Sequence, residues 1–400
     1  MKVVQINTVF NQGSTGKIAY QIQEQSLKSD IVNIVAYRYG DGNGNGNDKH
    51  SSYCISTWLD CHVHNRLAKY THRIGNYSSR RTKEFINYLK AEQPDIIHIH
   101  NLHGNYINVP MLFRFIKKQK IRTIWTFHDC WPFTGYCPYF EINKCDEWMN
   151  GCKECCCENS ILNYHSSEKN LNQKKDLVAG IDLTIVTPSH WLANVVKQTF
   201  YSCYPIKVIP NGIDLEIFHP RESSFRDKYH IPKEKYVLLG VAAVWEERKG
   251  LDVFINLSKA LNSNTFQIVL VGTNSQIDEI LPKNIISIHR TSNQIELAEI
   301  YSASDLFVNP TREEVLGMVN IEANACGTPV VTYDTGGSPE CIRDTSGIVV
   351  PYNDYEAMLN AIIDTSSRKP FSTHDCVINA KRFDCREKYN EYIKLYLEKP

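Results

Sequence analysis

The stretch TREEVLGMVNIEANACGTPVVTYDT, residues 311–335, decides how the rest of this 400-residue sequence is read. It follows Leu306-Phe307-Val308-Asn309-Pro310, an apolar run with a proline stop that predicts a short buried strand. Gly317 permits a turn, and Met318–Cys326 reads as a short helix closed by Gly327, with Pro329 just beyond. A helix of that length is marginal alone, so packing must hold it. Its start, from Leu316 and Gly317 through Met318 and Val319, leaves backbone N–H groups unpaired, a disposition that receives phosphate oxygens. Glu322 falls about one turn further in, where a carboxylate can accept hydrogen bonds from vicinal hydroxyls such as those of a ribose. Glu314, on the preceding loop, is placed for the hydroxyls of a second sugar. For two glutamates in isolation, solvated positions beside an ordinary packing helix are the commoner meaning. Read together, the set suits a ligand with ribose, diphosphate and sugar.

The order Glu314-Val315-Leu316-Gly317, then Glu322-Ala323, then Ala325-Cys326-Gly327-Thr328-Pro329-Val330-Val331 resembles the signature of the retaining glycosyltransferases of family 4, the glycosyl transferases group 1. The resemblance extends over nearly the whole chain. It implies an α/β protein of the GT-B fold, with two Rossmann-like, doubly wound parallel-sheet domains facing across a cleft. Residues 1–205 would form the N-terminal, acceptor-side domain, with a Cys-rich insertion at 130–157 that is similar to one seen in some family members. Residues 206–373 would bind the nucleotide-sugar, and a helix over 374–400 would cross back to the first domain. In the resembled family Glu314 touches the donor sugar and Glu322 the ribose.

Composition narrows the function classes. Lys+Arg and Asp+Glu number 44 each, so no net field draws the protein to nucleic acid. No stretch approaches the roughly 20 apolar residues of a membrane span. The N-terminus enters a strand at Val3 and lacks the apolar core of a signal peptide. The expected location is therefore the cytoplasm, where fourteen cysteines stay mostly reduced.

Along the chain, strand-like runs alternate with amphipathic helical stretches, the pattern of βαβ units and a parallel sheet. After the first strand, the loop Asn11–Lys17, NQGSTGK, opens a helix, and Gly13 and Gly16 can present backbone N–H groups to an anion or a sugar. The glycines are too close for a P-loop and Ile18 replaces the magnesium-binding Ser or Thr, which excludes nucleotide hydrolysis. By resemblance this loop lies near the acceptor side and the donor phosphates; otherwise it is a tight strand-to-helix turn. Residues 41–48, DGNGNGND, read as a surface loop. Trp58–Lys83 mixes aromatics with Arg66, Lys69, His72, Arg73, Arg80, Arg81 and Lys83. Such a face suits anionic headgroups or a lipid-diphosphate acceptor at the inner side of the cell membrane, although charge-rich stretches are more often simply solvated.

The strand Arg122–Phe127 ends on His128, and residues past the carboxyl ends of parallel strands line the ligand crevice of such folds. By resemblance His128 contacts the donor sugar; His100 and His103 are weaker candidates. Seven of the fourteen cysteines fall between Cys130 and Cys157. Cys137, Cys145, Cys152 and Cys155 have the density of a structural zinc site, with free thiols in a loop as the equal alternative. In the second half, Arg248 and Lys249 follow a strand over Tyr236–Val244, where they can neutralise a departing diphosphate. In the resembled family an arginine stands where this chain has Val244, and Arg248 is the candidate to substitute for its contact. Residues His374–Lys399 read as one long helix.

The activity implied is transfer of a sugar from a UDP- or GDP-linked donor to a glycan or lipid-linked oligosaccharide acceptor in surface polysaccharide synthesis (O-antigen, capsule or exopolysaccharide). His128, Glu314, Arg248 and Lys249 carry it, and no cofactor or catalytic metal is expected. The rivals are a nucleotide-sugar 2-epimerase of the same fold, and a non-catalytic nucleotide-sugar-binding module.

Overall fold

The computed structural model describes residues 1–40, 51–153 and 166–398. The chain divides into two units, Met1–Pro210 with Arg386–Pro400, and Asn211–Cys385. The glycine-rich segment 41–48 and Cys155 lie outside the described residues.

The first unit is built on β1 (Lys2–Ile6), β2 (Val9–Phe10), β3 (Val32–Tyr37), β4 (Tyr39–Gly40), β5 (Ser52–Cys54), β6 (Ile96–Ile99), β7 (Arg122–Thr126), β8 (Leu183–Thr187) and β9 (Ile206–Val208). Seven of these form one sheet in the order β5-β3-β1-β6-β7-β8-β9, while β2 and β4 pair separately. Every pairing in the sheet is parallel, with Val4 opposite both Ile34 and Ile97. Parallel strands are covered on both faces, which explains why Val3, Val4, Ile6, Ile96, Ile97 and Ile99 form near-continuous buried runs. The chain leaves β1 toward β3 on one side and resumes at β6 on the other. That reversal opens a crevice at the carboxyl ends of β1 and β6, where such folds bind ligands.

The helix Cys385–Leu397 belongs to this unit and seals the sheet's underside with Tyr389, Tyr392 and Tyr396, all buried. Arg122 caps its end by donating to Leu395 O at 2.8 Å, Tyr396 O at 3.0 Å and Glu398 O at 2.7 Å. The single helix expected from His374 is not formed. Thr373–Ala380 is one helix, Lys381–Phe383 a 3-10 turn, and Cys385–Leu397 another helix. The break follows from a backbone bridge: Ile213 N donates to Phe383 O and Cys385 N to Ile213 O, drawing the chain out of helical register. For the same reason the second unit runs to Cys385 and not to residue 373. It begins at Asn211, not at 206, because β9 pairs with β8 in the first sheet.

The second unit carries β10 (Tyr236–Val241), β11 (Phe266–Val271), β12 (Ile285–Ile288), β13 (Leu306–Asn309), β14 (Val330–Tyr333) and β15 (Gly347–Val350). The order is β12-β11-β10-β13-β14-β15, again parallel throughout. Alternate residues of β10 feed two cores, Val237 and Leu239 on one face and Tyr236 and Leu238 on the other. The sheet is therefore fully enclosed by helices, and its topological reversal lies between β10 and β13.

Candidate functional site

The loops leaving β10 and β13 meet at that reversal. Lys249, in the 3-10 turn Glu247–Lys249, donates from Nζ to Glu314 Oε2 at 2.6 Å, and the two side chains are only 18% and 19% exposed. Burial is the largest influence on the Glu314 carboxyl and raises its pKa. The Lys249 charge and hydrogen bond, with Arg248 and the Val315 amide, outweigh it, so the group is held below its ordinary value. Arg248 Nη1 donates to Glu313 O at 3.3 Å and its Nη2 pairs with Glu246 Oε1 at 3.3 Å. Val244 is exposed and Arg248 is the arginine of this turn.

Two further groups fix the loop. Arg312 grips Asp252 with both terminal nitrogens at 2.8 and 2.7 Å, Nη1 also donating to Glu247 O, while Nε reaches Asn353 Oδ1. Gly336 lies against Glu314: a Cβ there would stand 1.7 Å from Glu314 O, and its φ is +52°. Gly337 N donates to the same carbonyl at 3.0 Å. Only glycine permits this approach.

Helix Met318–Ala325 starts as expected, with Gly317 at φ 87° and no side chain capping its first turn. No side chain caps the amides near Met318 and Val319, a helix start of the kind that can receive an anion. Asn320 beneath them is buried and tied to Asn309 and Ser338. Cys341 Sγ donates to Leu316 O at 2.6 Å, which pins the residue before the helix. Glu322, one turn in, accepts from the Tyr301 hydroxyl at 3.2 Å. In the second unit the structure thus places Glu314, Lys249, Arg248, Gly317 and the helix start on loops of one reversal point, with Glu322 inside the helix they open.

In the first unit, the loop after β1 leads to helix Gly13–Leu27, whose N-cap Gln12 makes no side-chain cap. Gly13 is exposed at φ +59°, whereas Gly16 is buried and packs against Val9 and Asn11, so Gly16 serves the turn. His128 follows β7 and is part-exposed. Its Nε2 lies 2.9 Å from His100 Nδ1, and His100 Nε2 lies 2.9 Å from Gln5 Oε1. Burial, with neighbouring imidazoles, drives His100 well below the ordinary histidine value. Burial likewise brings His128 down to about 4 despite Asp129 beside it. His103 pairs with Asp129 at 2.8 Å.

A glycosyl transferases group 1 model matches residues 222–383 and a Glycosyltransferase Family 4 model residues 32–217. The chain combines both glycosyltransferase domains. A putative colanic acid biosynthesis glycosyl transferase, WcaC, from Escherichia coli K12 is 21% identical over 374 residues, covering 88% of this chain and 87% of that protein. Sucrose-phosphate synthase from Thermosynechococcus elongatus superposes with a TM-score of 0.72 at 18% identity, covering 99% and 98% of the two chains. Anabaena HepE, solved in complex with UDP-glucose, gives a TM-score of 0.65 at 13% identity over 99% of each chain. The fold of this glycosyltransferase is GT-B, with two Rossmann-like parallel-sheet domains.

The glycosyltransferase's cysteine-rich segment is only partly described. Among the described residues no group of three or more His, Cys, Asp or Glu side chains is placed to hold a metal. Cys152 instead accepts from Gly135 N at 3.2 Å. Beside it Lys174 is buried, donates to Trp131 O and Thr134 O, and has its pKa lowered to about 7 by burial, an effect that Cys152, Asp129 and Cys137 oppose.

Tyr301, the Arg312–Asp252 clamp, Gln5 and the coupling of His100 to His128 escape the sequence reading. The one signal was the HIH triplet, His98-Ile99-His100, ending a buried strand: alternation puts both imidazoles on one face, and buried imidazoles demand partners.

Proposed function

We propose that this glycosyltransferase moves a sugar from a UDP- or GDP-linked donor to a lipid-linked glycan of surface polysaccharide, with retention at the anomeric carbon. The observation that carries the reading is the Lys249–Glu314 pair beside an uncapped helix start at the reversal point of the group 1 domain. Diphosphate oxygens bind Lys249, Arg248 and the amides near Met318 and Val319, releasing Glu314 to accept from the donor sugar's hydroxyls. Glu322, oriented by Tyr301, takes the ribose. The acceptor hydroxyl attacks the anomeric carbon on the face the diphosphate leaves. The carbon–oxygen bond to phosphate breaks as the new glycosidic bond forms, and the acceptor's proton passes to the departing phosphate oxygen. Two side-chain cations and the helix amides stabilise the charge that develops, so transfer needs no added metal. The WcaC likeness supports a polysaccharide acceptor, and the complex of HepE with UDP-glucose supports the donor class.

A lipid-linked acceptor is supported by helix Trp58–Thr71, which buries only Cys61, His64 and Ala68. Trp58 and Tyr70 are 63% and 81% exposed, with Leu59, Val63 and Leu67 also exposed on the helix. Arg66, Lys69 and Arg73 are exposed beside them, and the helix's one acid, Asp60, is taken by Arg81. An apolar strip rimmed by bases suits an anionic bilayer surface. No described helix is long and apolar enough to cross a membrane.

The test is a panel of nucleotide-sugars with lipid-linked acceptors, with products analysed by mass spectrometry. We expect one donor to be consumed with EDTA present, and Glu314→Gln to lose most turnover while staying folded. Release of an epimerised nucleotide-sugar without acceptor, or donor binding without turnover on any acceptor, contradicts transfer. Sedimentation with phosphatidylglycerol vesicles tests the helix: wild type should bind and Trp58→Ser/Tyr70→Ser should not.

A further inference from the structure

The hydrogen bonds behind His128 run in one direction, and that direction is fixed at a backbone carbonyl. Ser26 Oγ donates to Ile22 O at 2.8 Å, so it must accept from Asn33 Nδ2, also at 2.8 Å. Asn33 Oδ1 is then the acceptor for Gln5 Nε2 at 3.0 Å, whose other proton goes to Ala19 O at 2.9 Å. A carbonyl cannot donate, so both ends of this amide network are set. Gln5 Oε1 is left facing His100 Nε2 and can only accept, so His100 carries its proton on Nε2. Burial keeps His100 neutral, and its Nδ1 is therefore a bare lone pair. The atom 2.9 Å from it, His128 Nε2, must bear the hydrogen between them. Gln5, Asn33 and His100 are all buried, so water does not compete along the chain.

We propose that Gln5 and His100 form a tautomer lock that places the proton of the neutral His128 ring on Nε2 and leaves Nδ1 bare, so that the ring meets its ligand as a hydrogen-bond acceptor. The group opposite Nδ1 must then be a hydroxyl that donates. A phosphate or carboxylate oxygen at that place is disfavoured, because the lone pair repels it. His128 thereby selects an uncharged, hydroxyl-bearing sugar and serves neither as general acid nor as phosphate ligand. Gln5 and His100 are positioning residues, acting through His128. The inference rests on the reading that His128 contacts the donor sugar, although the lock itself does not.

The primary test needs no substitution. Long-range 1H–15N correlation of the histidine rings in the full-length protein at pH 7 should show His128 as the neutral Nε2–H tautomer, with His100 the same. An Nδ1–H tautomer at His128 overturns the lock, and an imidazolium there overturns the acceptor role. Gln5→Met removes the fixed acceptor. Both rings should then populate mixed tautomers, and kcat/KM for the donor should fall about tenfold, the effect of one misdirected hydrogen bond. A Gln5→Met protein with His128 still wholly Nε2–H, or with kcat/KM unchanged, overturns the positioning role. His128→Ala separates the two ideas. If it leaves donor-sugar binding unchanged while the wild-type rings show the expected tautomers, the sugar contact fails and the lock stands.

Discussion

Replacing Lys249 by Met strands a carboxylate that is less than a fifth exposed. Breaking a buried ion pair by removing one partner costs about 3 to 5 kcal/mol, and residual exposure puts this pair at the lower end, about 3 kcal/mol. Glu314→Gln strands the ammonium instead and should cost less, because the amide oxygen still accepts from Lys249. The double variant Lys249→Met/Glu314→Gln should be nearer wild type than the sum of the singles by about 2 kcal/mol. Urea denaturation of the four proteins, followed by circular dichroism at pH 7, measures the coupling. The pH dependence gives a second reading. Since the folded carboxyl lies below its ordinary value, its contribution is full above about pH 4.3 and is lost as pH falls through the folded value. Lys249→Met lifts that depression, so the difference in stability from Lys249→Met/Glu314→Gln should lose this acid slope. Additive single effects, or an unchanged acid slope, would show that Lys249 and Glu314 are not coupled.

Other outcomes follow from the same geometry. Tyr301→Phe removes the donor to Glu322 and should weaken UDP or GDP binding about fivefold by titration calorimetry, with little change in stability. Gly336→Ala places a methyl on Glu314 O at a left-handed φ, and should lower stability by more than about 2 kcal/mol in thermal denaturation. His98 is held down to about 3 by burial, with His128 adding to it. The unfolded imidazole takes a proton below about pH 6.5 and the folded one does not, so stability is lost as pH falls from there. His98→Gln, able to bond both Tyr396 and Thr126, should flatten that slope in urea titrations between pH 6.5 and 4.

Local chemistry made much of this protein legible before its structure. The strand over Leu306–Asn309, the Gly317 turn and the helix ended by Gly327 each depend on neighbouring residues, and each forms as read. Features set by distant segments were invisible. Lys249 and Glu314 are 65 positions apart and meet only because β10 and β13 are neighbours in the sheet. Tyr301 reaches Glu322 from a separate helix. The C-terminal helical pattern was continuous in sequence, yet Ile213 breaks it by taking backbone hydrogen bonds that no periodicity encodes. Alternation in β6 puts His98 and His100 on one face, but the partner that orients His100 lies on β1, far back in the chain.

We propose that a nucleotide-sugar is held at the reversal point of the group 1 domain by Lys249, Arg248, Glu314 and Glu322. Titration calorimetry of wild type and Glu322→Ala against UDP- and GDP-linked sugars addresses it most directly. We expect saturable binding of one nucleotide class, weakened at least tenfold by Glu322→Ala in a protein that remains folded by thermal denaturation. Wild-type binding that Glu322→Ala leaves intact, or no binding of either class, would contradict it.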